Sequence, residues 1–198
     1  MIKIISLFLS LLVTFNCFAE ETLPDAVLGL AGEPRGQDLS YFKDNASTKG
    51  YLAVPETSQK KGAVLLIHEW NGLGTRVKQI ADVFAEEGYV ALAADLYSGR
   101  TGSSREENLT LMRETLSDMD QIIANLDAAA GYLKSRDDVN GKVAAIGWCY
   151  GGGVALSYAL GGTEHEGTAI FYGRLLEDPE KLASIHHEIY GTFAGLDQ

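Results

Sequence analysis

Cysteine is scarce in this chain: Cys17 and Cys149 are the only two among 198 residues. A small fold stapled by several disulfides is therefore excluded. Positive charge is also in the minority, with 16 Lys and Arg against 27 Asp and Glu, a net charge of -11, and no basic cluster beyond Lys60-Lys61. An acidic surface repels phosphate, which argues against nucleic acid as a partner. Long apolar runs are missing as well. The apolar stretch from Ile4 to Val13 is followed by Thr14 and Asn16 and interrupted by Ser6 and Ser10, well short of the roughly 20 residues that a membrane-spanning helix needs.

That same stretch, with Lys3 before it and Cys17-Phe18-Ala19 behind it, has the form of a secretory signal peptide cleaved after Ala19. Acylation of Cys17 is the alternative, but Thr14-Phe15-Asn16 lacks the aliphatic and small residues such a site wants. The expectation is an exported protein, periplasmic or secreted, with no stable membrane anchor once residues 1–19 are removed. Residues 20–48, with Pro24, Gly29, Gly32, Pro34 and Gly36, read as an N-terminal arm, and residues 49–198 as one domain. Cleavage removes Cys17 and leaves Cys149 as the sole thiol. A lone cysteine has two readings, a small buried apolar residue or a reactive group, and its neighbours must decide between them.

From Lys49 onward the pattern alternates. Strands are predicted at Tyr51–Val54, Ala63–His68, Tyr89–Ala94, Lys142–Gly147, Gly167–Tyr172 and Glu188–Ala194; the continuous apolar run of the second suits a strand buried on both faces. Between them fall a helix capped by Thr75 and a long helical stretch opened by a Ser104/Glu107 capping box and running to about Arg136 with room for one or two breaks. A turn at Asp138–Gly141, a helix over Gly152–Leu160 and a short helix at Pro179–Ala183 complete the pattern. Alternation of this kind implies an α/β fold with a mostly parallel sheet and helices on both faces.

Within that frame, Val143–Ile146 delivers the chain into Gly147-Trp148-Cys149-Tyr150-Gly151-Gly152 and then directly into a helix. A sharp strand-to-helix turn of this type is a nucleophile elbow: glycines two residues either side let strand and helix approach, and the central side chain is lifted above the carboxyl edge of the sheet. The helix N-terminus beside it favours a thiolate. Glycine-rich strand-helix turns also bind phosphate, but neither the dinucleotide fingerprint nor a P-loop is satisfied here.

With Cys149 in the elbow, the chain resembles the dienelactone hydrolase family, cysteine-dependent members of the α/β-hydrolase fold. The residues that carry the resemblance lie between 50 and 198: Ile67-His68-Glu69-Trp70-Asn71-Gly72, Gly88-Tyr89-Val90-Ala91, Asp95-Leu96-Tyr97, the elbow, Phe171-Tyr172-Gly173 and Gly195-Leu196-Asp197. The resemblance implies hydrolysis of a small-molecule ester or lactone through an acyl-cysteine, with no metal and no organic cofactor. It implies roles for Cys149 as nucleophile and for Glu69 as the carboxylate that contacts the resting thiol, opposes its ionisation by like-charge repulsion, and takes its proton when substrate enters. Asp197 would be the triad aspartate, the backbone N–H groups of Trp70 and Tyr150 the oxyanion hole, and Arg100 the group that binds a substrate carboxylate. The side chains of Trp70, Tyr150 and Tyr172 read as the wall of an apolar pocket or equally as packing, and the others have plainer readings: Glu69 and Arg100 as solvated loop charges and Asp197 as a turn residue. Asp95 reads as a structural cap for the loop after its strand.

The resemblance requires a histidine after the aspartate, and Gln198 is the next and last residue given. His68 reads as a packed strand-end residue. His165, His186 and His187 precede strands and so sit at the opposite sheet edge, on the order of 20 Å or more from Asp197 for the last two at roughly 3.3 Å per extended residue. The expectation is a fragment lacking the C-terminal strand and helix. Two readings from other classes stay open: a binding module without turnover on the same fold, and a thiol redox protein, which would lack a resolving cysteine.

Overall fold

The computed structural model describes residues 23–57 and 59–196; the expectations for the signal peptide and for Asp197 lie outside the described residues. The elements run α1 (Asp25–Leu28), β1 (Gln37–Leu39), β2 (Gly50–Ala53), β3 (Lys61–Ile67), α2 (Thr75–Glu86), β4 (Val90–Ala94), α3 (Arg105–Leu116), α4 (Met119–Lys134), β5 (Val139–Trp148), α5 (Tyr150–Gly161), β6 (Gly167–Phe171), α6 (Pro179–Leu182) and β7 (Glu188–Thr192). The strands form one sheet in the order β1-β2-β4-β3-β5-β6-β7. Pairings from β4 through β7 are parallel; β2 pairs antiparallel with both β1 and β4 and is the one strand of the sheet that runs against the others. This is the expected α/β fold.

The central strands are apolar because both their faces are covered. Along β3, Ala63, Leu65 and Ile67 face a cluster with Leu126, Ala129 and Leu133 of α4 and Val154 and Ala155 of α5. The alternate residues Val64 and Leu66 face Val77 and Ala81 of α2. One strand thus contributes to two cores, each buried Leu or Ile side chain supplying about 1.5–3 kcal/mol. Residues before Lys49 join this structure: β1 pairs with β2, Tyr41 and Phe42 are buried in the larger cluster, and the Tyr41 hydroxyl donates to Asn125 Oδ1 at 2.6 Å.

The long helical stretch takes one of the breaks it allows, dividing into α3 and α4, where Asp118 leaves the helix and accepts a bond from Gln121 N at 3.0 Å. Three local expectations are corrected. Thr75 is the first residue of α2 and Gly74 is its cap, without a side-chain hydrogen bond. The helix after the elbow begins at Tyr150, two residues earlier than its glycines suggest. The Asp138–Gly141 turn is largely strand: β5 begins at Val139, and its pairing with β3 shifts register between Lys61 and Ala63. Gly141, at φ 85°, marks an irregularity inside the strand, where only a glycine adopts such an angle without strain. The capping box at Ser104 and Glu107 is formed in full.

Candidate active site

Strand β5 ends at Trp148, Cys149 follows at φ 55° and ψ -119°, and α5 starts at the next residue. A non-glycine residue in this region carries strain of about 1–3 kcal/mol, which persists only where surroundings enforce it. Here they do. The Cys149 N–H donates to Phe171 O at 3.0 Å, and its carbonyl accepts from Gly152 N at 3.1 Å and Gly153 N at 3.2 Å. A Cβ on Gly147 would collide with the Gly151 carbonyl, and one on Gly151 with the carbonyls of Ile67 and His68. Gly152 and Gly173 approach each other just as closely. Strand, helix and the ends of β3 and β6 are thereby clamped round a single residue, whose thiol is free and exposed.

The loop after β3 supplies the facing wall. His68 is fully buried and neutral: the Leu96 N–H donates to Nε2 at 3.2 Å, so Nδ1 carries the proton and lies 2.7 Å from Glu69 O. Burial lowers its pKa, against the smaller opposing effect of that bond. Rings of Tyr97 and Tyr150 lie against it at centroid distances of 4.7 and 6.1 Å. His68 is thus the packed residue expected, sealed from any substrate. Trp70 is fixed from below, its carbonyl accepting from Tyr97 Oη at 3.1 Å. Asp95 holds Tyr97 in turn, its carboxylate accepting from the N–H groups of Lys49, Tyr97 and Gly99 at 2.9, 2.9 and 2.6 Å. Among the described residues, neither the Trp70 nor the Tyr150 backbone N–H donates to a backbone carbonyl.

Glu69 Oε1 accepts from the Tyr172 hydroxyl at 3.0 Å. Tyr172 follows β6 at φ 40°. Its hydroxyl is pushed up to about 12 by burial first, then by the Glu69 bond and charge and the charge of Cys149. It is a proton donor throughout the neutral range. Arg100 is turned outward, with Nε donating to Tyr97 O at 3.1 Å and a terminal nitrogen paired with Glu114 at 2.9 Å, both side chains about half exposed. His165 and His187 meet at the far, amino edge of the sheet through Thr168 Oγ1, at 3.1 and 2.9 Å. The Tyr172–Glu69 pairing was not anticipated; Phe171-Tyr172-Gly173 at a strand end was the available signal, and it named Tyr172 only as a wall or packing residue.

Comparison with known proteins supplies the family. Residues 48–198 match the model of the dienelactone hydrolase family. The chain is 33% identical over 129 residues to the protein usf of Aquifex pyrophilus, covering 63% of this chain and 55% of that one. It is also 33% identical over 144 residues to a protein of Aquifex aeolicus bearing the inferred name carboxymethylenebutenolidase, covering 70% of this chain and 62% of the relative. The chain thus spans little more than half the length of these two curated relatives. Among solved structures, a dienelactone hydrolase-like promiscuous phosphotriesterase from metagenomic libraries superposes with a TM-score of 0.70 at 26% identity, over 81% of this chain and 68% of that one.

Proposed function

The chain belongs to the dienelactone hydrolase family, and from that premise we propose that it is an exported hydrolase that cleaves a small ester or lactone through an acyl-enzyme at Cys149. The observation that carries this reading is the elbow itself: an exposed thiol held at φ 55° at the head of α5, where a helix N-terminus faces developing negative charge.

In this reading Glu69 takes the thiol proton and the thiolate attacks the acyl carbon. The carbonyl oxygen becomes an oxyanion accepting from the Trp70 and Tyr150 N–H groups, each such donor supporting the rate by about a hundred- to a thousandfold. Collapse expels the alcohol oxygen, which recovers the proton held by Glu69, and water hydrolyses the thioester. Asp197 would orient an imidazole for that second half. None of the four histidines in the sequence is that imidazole, since His68 is sealed and the others lie at or near the amino edge.

The test is a burst experiment with an activated aryl ester. One equivalent of alcohol should appear rapidly, and Cys149→Ala should abolish it; full activity in that variant sinks the assignment. Tight binding of an ester without turnover would favour the ligand-binding reading.

A further inference from the structure

A trans peptide is planar, so its carbonyl and its N–H point in opposite directions, and holding one aims the other. The peptide that joins Glu69 to Trp70 is held in this way. Its carbonyl, Glu69 O, accepts from His68 Nδ1 at 2.7 Å and from Gly72 N at 3.2 Å, which uses both of its lone pairs. Its N–H, that of Trp70, donates to no backbone carbonyl among the described residues. The imidazole is itself fixed: the Leu96 N–H donates to Nε2 at 3.2 Å and leaves Nδ1 as the donor, while Tyr97 and Tyr150 pack against the buried ring. Gly151, two residues past the thiol, lies so close to the His68 carbonyl that a Cβ there would collide with it. The stretch that carries this peptide is thereby pressed against the elbow.

We infer that His68 is a positioning residue for the oxyanion hole: by donating to Glu69 O, its imidazole turns the Trp70 N–H toward the acyl oxygen at Cys149 and polarises that N–H through the shared peptide. The ring never meets the substrate, and no proton changes hands, since His68 keeps the one on Nδ1 throughout. This role rests on the proposed reading in which Cys149 is acylated and the Trp70 N–H receives the oxyanion. A residue sealed in the core thus acts on the reaction through one backbone plane.

Two reactions of the same sulfur separate this role from a general disturbance of the site. Acylation by an activated aryl ester develops an oxyanion, whereas alkylation by iodoacetamide displaces iodide at a saturated carbon and develops none. His68→Leu, similar in size and without a donor, should slow the acylation burst about a hundredfold, the lower end of the loss of one oxyanion donor, and leave KM and alkylation little changed. His68→Asn, whose amide nitrogen falls near the place of Nδ1, should recover most of the lost rate. Alkylation slowed in step with acylation, an unchanged burst in His68→Leu, or His68→Asn as slow as His68→Leu each overturns the assignment. Should neither variant melt cooperatively, the wild-type chain carries the test: a trifluoromethyl ketone adduct at Cys149 should move the Trp70 N–H and His68 Nδ1–H proton resonances downfield together, and a stationary His68 resonance overturns it. Absence of a burst in the wild-type chain, or its survival in Cys149→Ala, fails the hydrolase reading and takes the positioning role with it.

Discussion

Arg100 and Glu69 show how far a side chain's role depends on what already holds it. Arg100 occupies the stretch where the family resemblance places a carboxylate-binding arginine, yet its guanidinium bridges Tyr97 O and Glu114. That pair is half exposed, and exposed pairs contribute about 0–1 kcal/mol. Arg100→Ala should therefore leave KM for a carboxylated ester within about threefold and stability within about 1 kcal/mol; a tenfold rise in KM would show that the arginine leaves Glu114 for the substrate. The sharp turn at Cys149 was legible because glycine at 147 and 151 is a local signal. The partner of Glu69 was not, because Tyr172 lies 103 residues away and only the pairings of β3 with β5 and of β5 with β6 bring them together.

At the scale of elements, β6 and β7 are joined at their amino ends by imidazoles as well as by the ladder. Thr168 Oγ1 lies between His165 Nε2 and His187 Nε2, and the His165 ring stacks on Tyr158 at 4.0 Å. Burial, then the charge of His187, lowers His165 from 6.5 to about 4, with Asp127 and Glu166 opposing and Lys134 reinforcing. The folded state thus binds fewer protons than the unfolded chain between those values, so stability is fully present above pH 6.5 and is lost as pH falls toward 4. Thermal melting should show a lower midpoint at pH 5 than at pH 7, and His165→Gln should flatten the difference. His68, also lowered, leaves a residual slope of the same sign. A midpoint that rises on acidification would contradict the assignment. Sequence patterns announced most of these elements. The apolar runs of β3 and β4 and the capping box of α3 are local, whereas the start of β5 is set by its pairing with Lys61, and the α3–α4 break falls within an uninterrupted apolar spacing.

Across the whole molecule, the two edges of the sheet are chemically distinct. The carboxyl edge carries the thiol, Glu69 and the uncommitted N–H groups; the amino edge carries the paired histidines and the Lys134–Glu166 bridge. The excess of acidic residues belongs to the surface and says little about the fold. The proposal of export has a direct check. Protein recovered from a secreting host should begin at Glu20 by N-terminal sequencing; recovery with Met1 intact would overturn the leader assignment.

The strained angle at Cys149 is imposed by its neighbours. Phe171 O, Gly152 N and Gly153 N hold the backbone of residue 149, while the crowded glycines leave the chain no other path, and none of these constraints involves sulfur. Position 149 is in that sense a socket. A hydroxyl placed there by Cys149→Ser would inherit the same location and the same helix terminus, so the atom presented at that point is separable from its placement. A scaffold organised this way can change the reactivity of its centre in a single substitution without rebuilding the architecture that aims it.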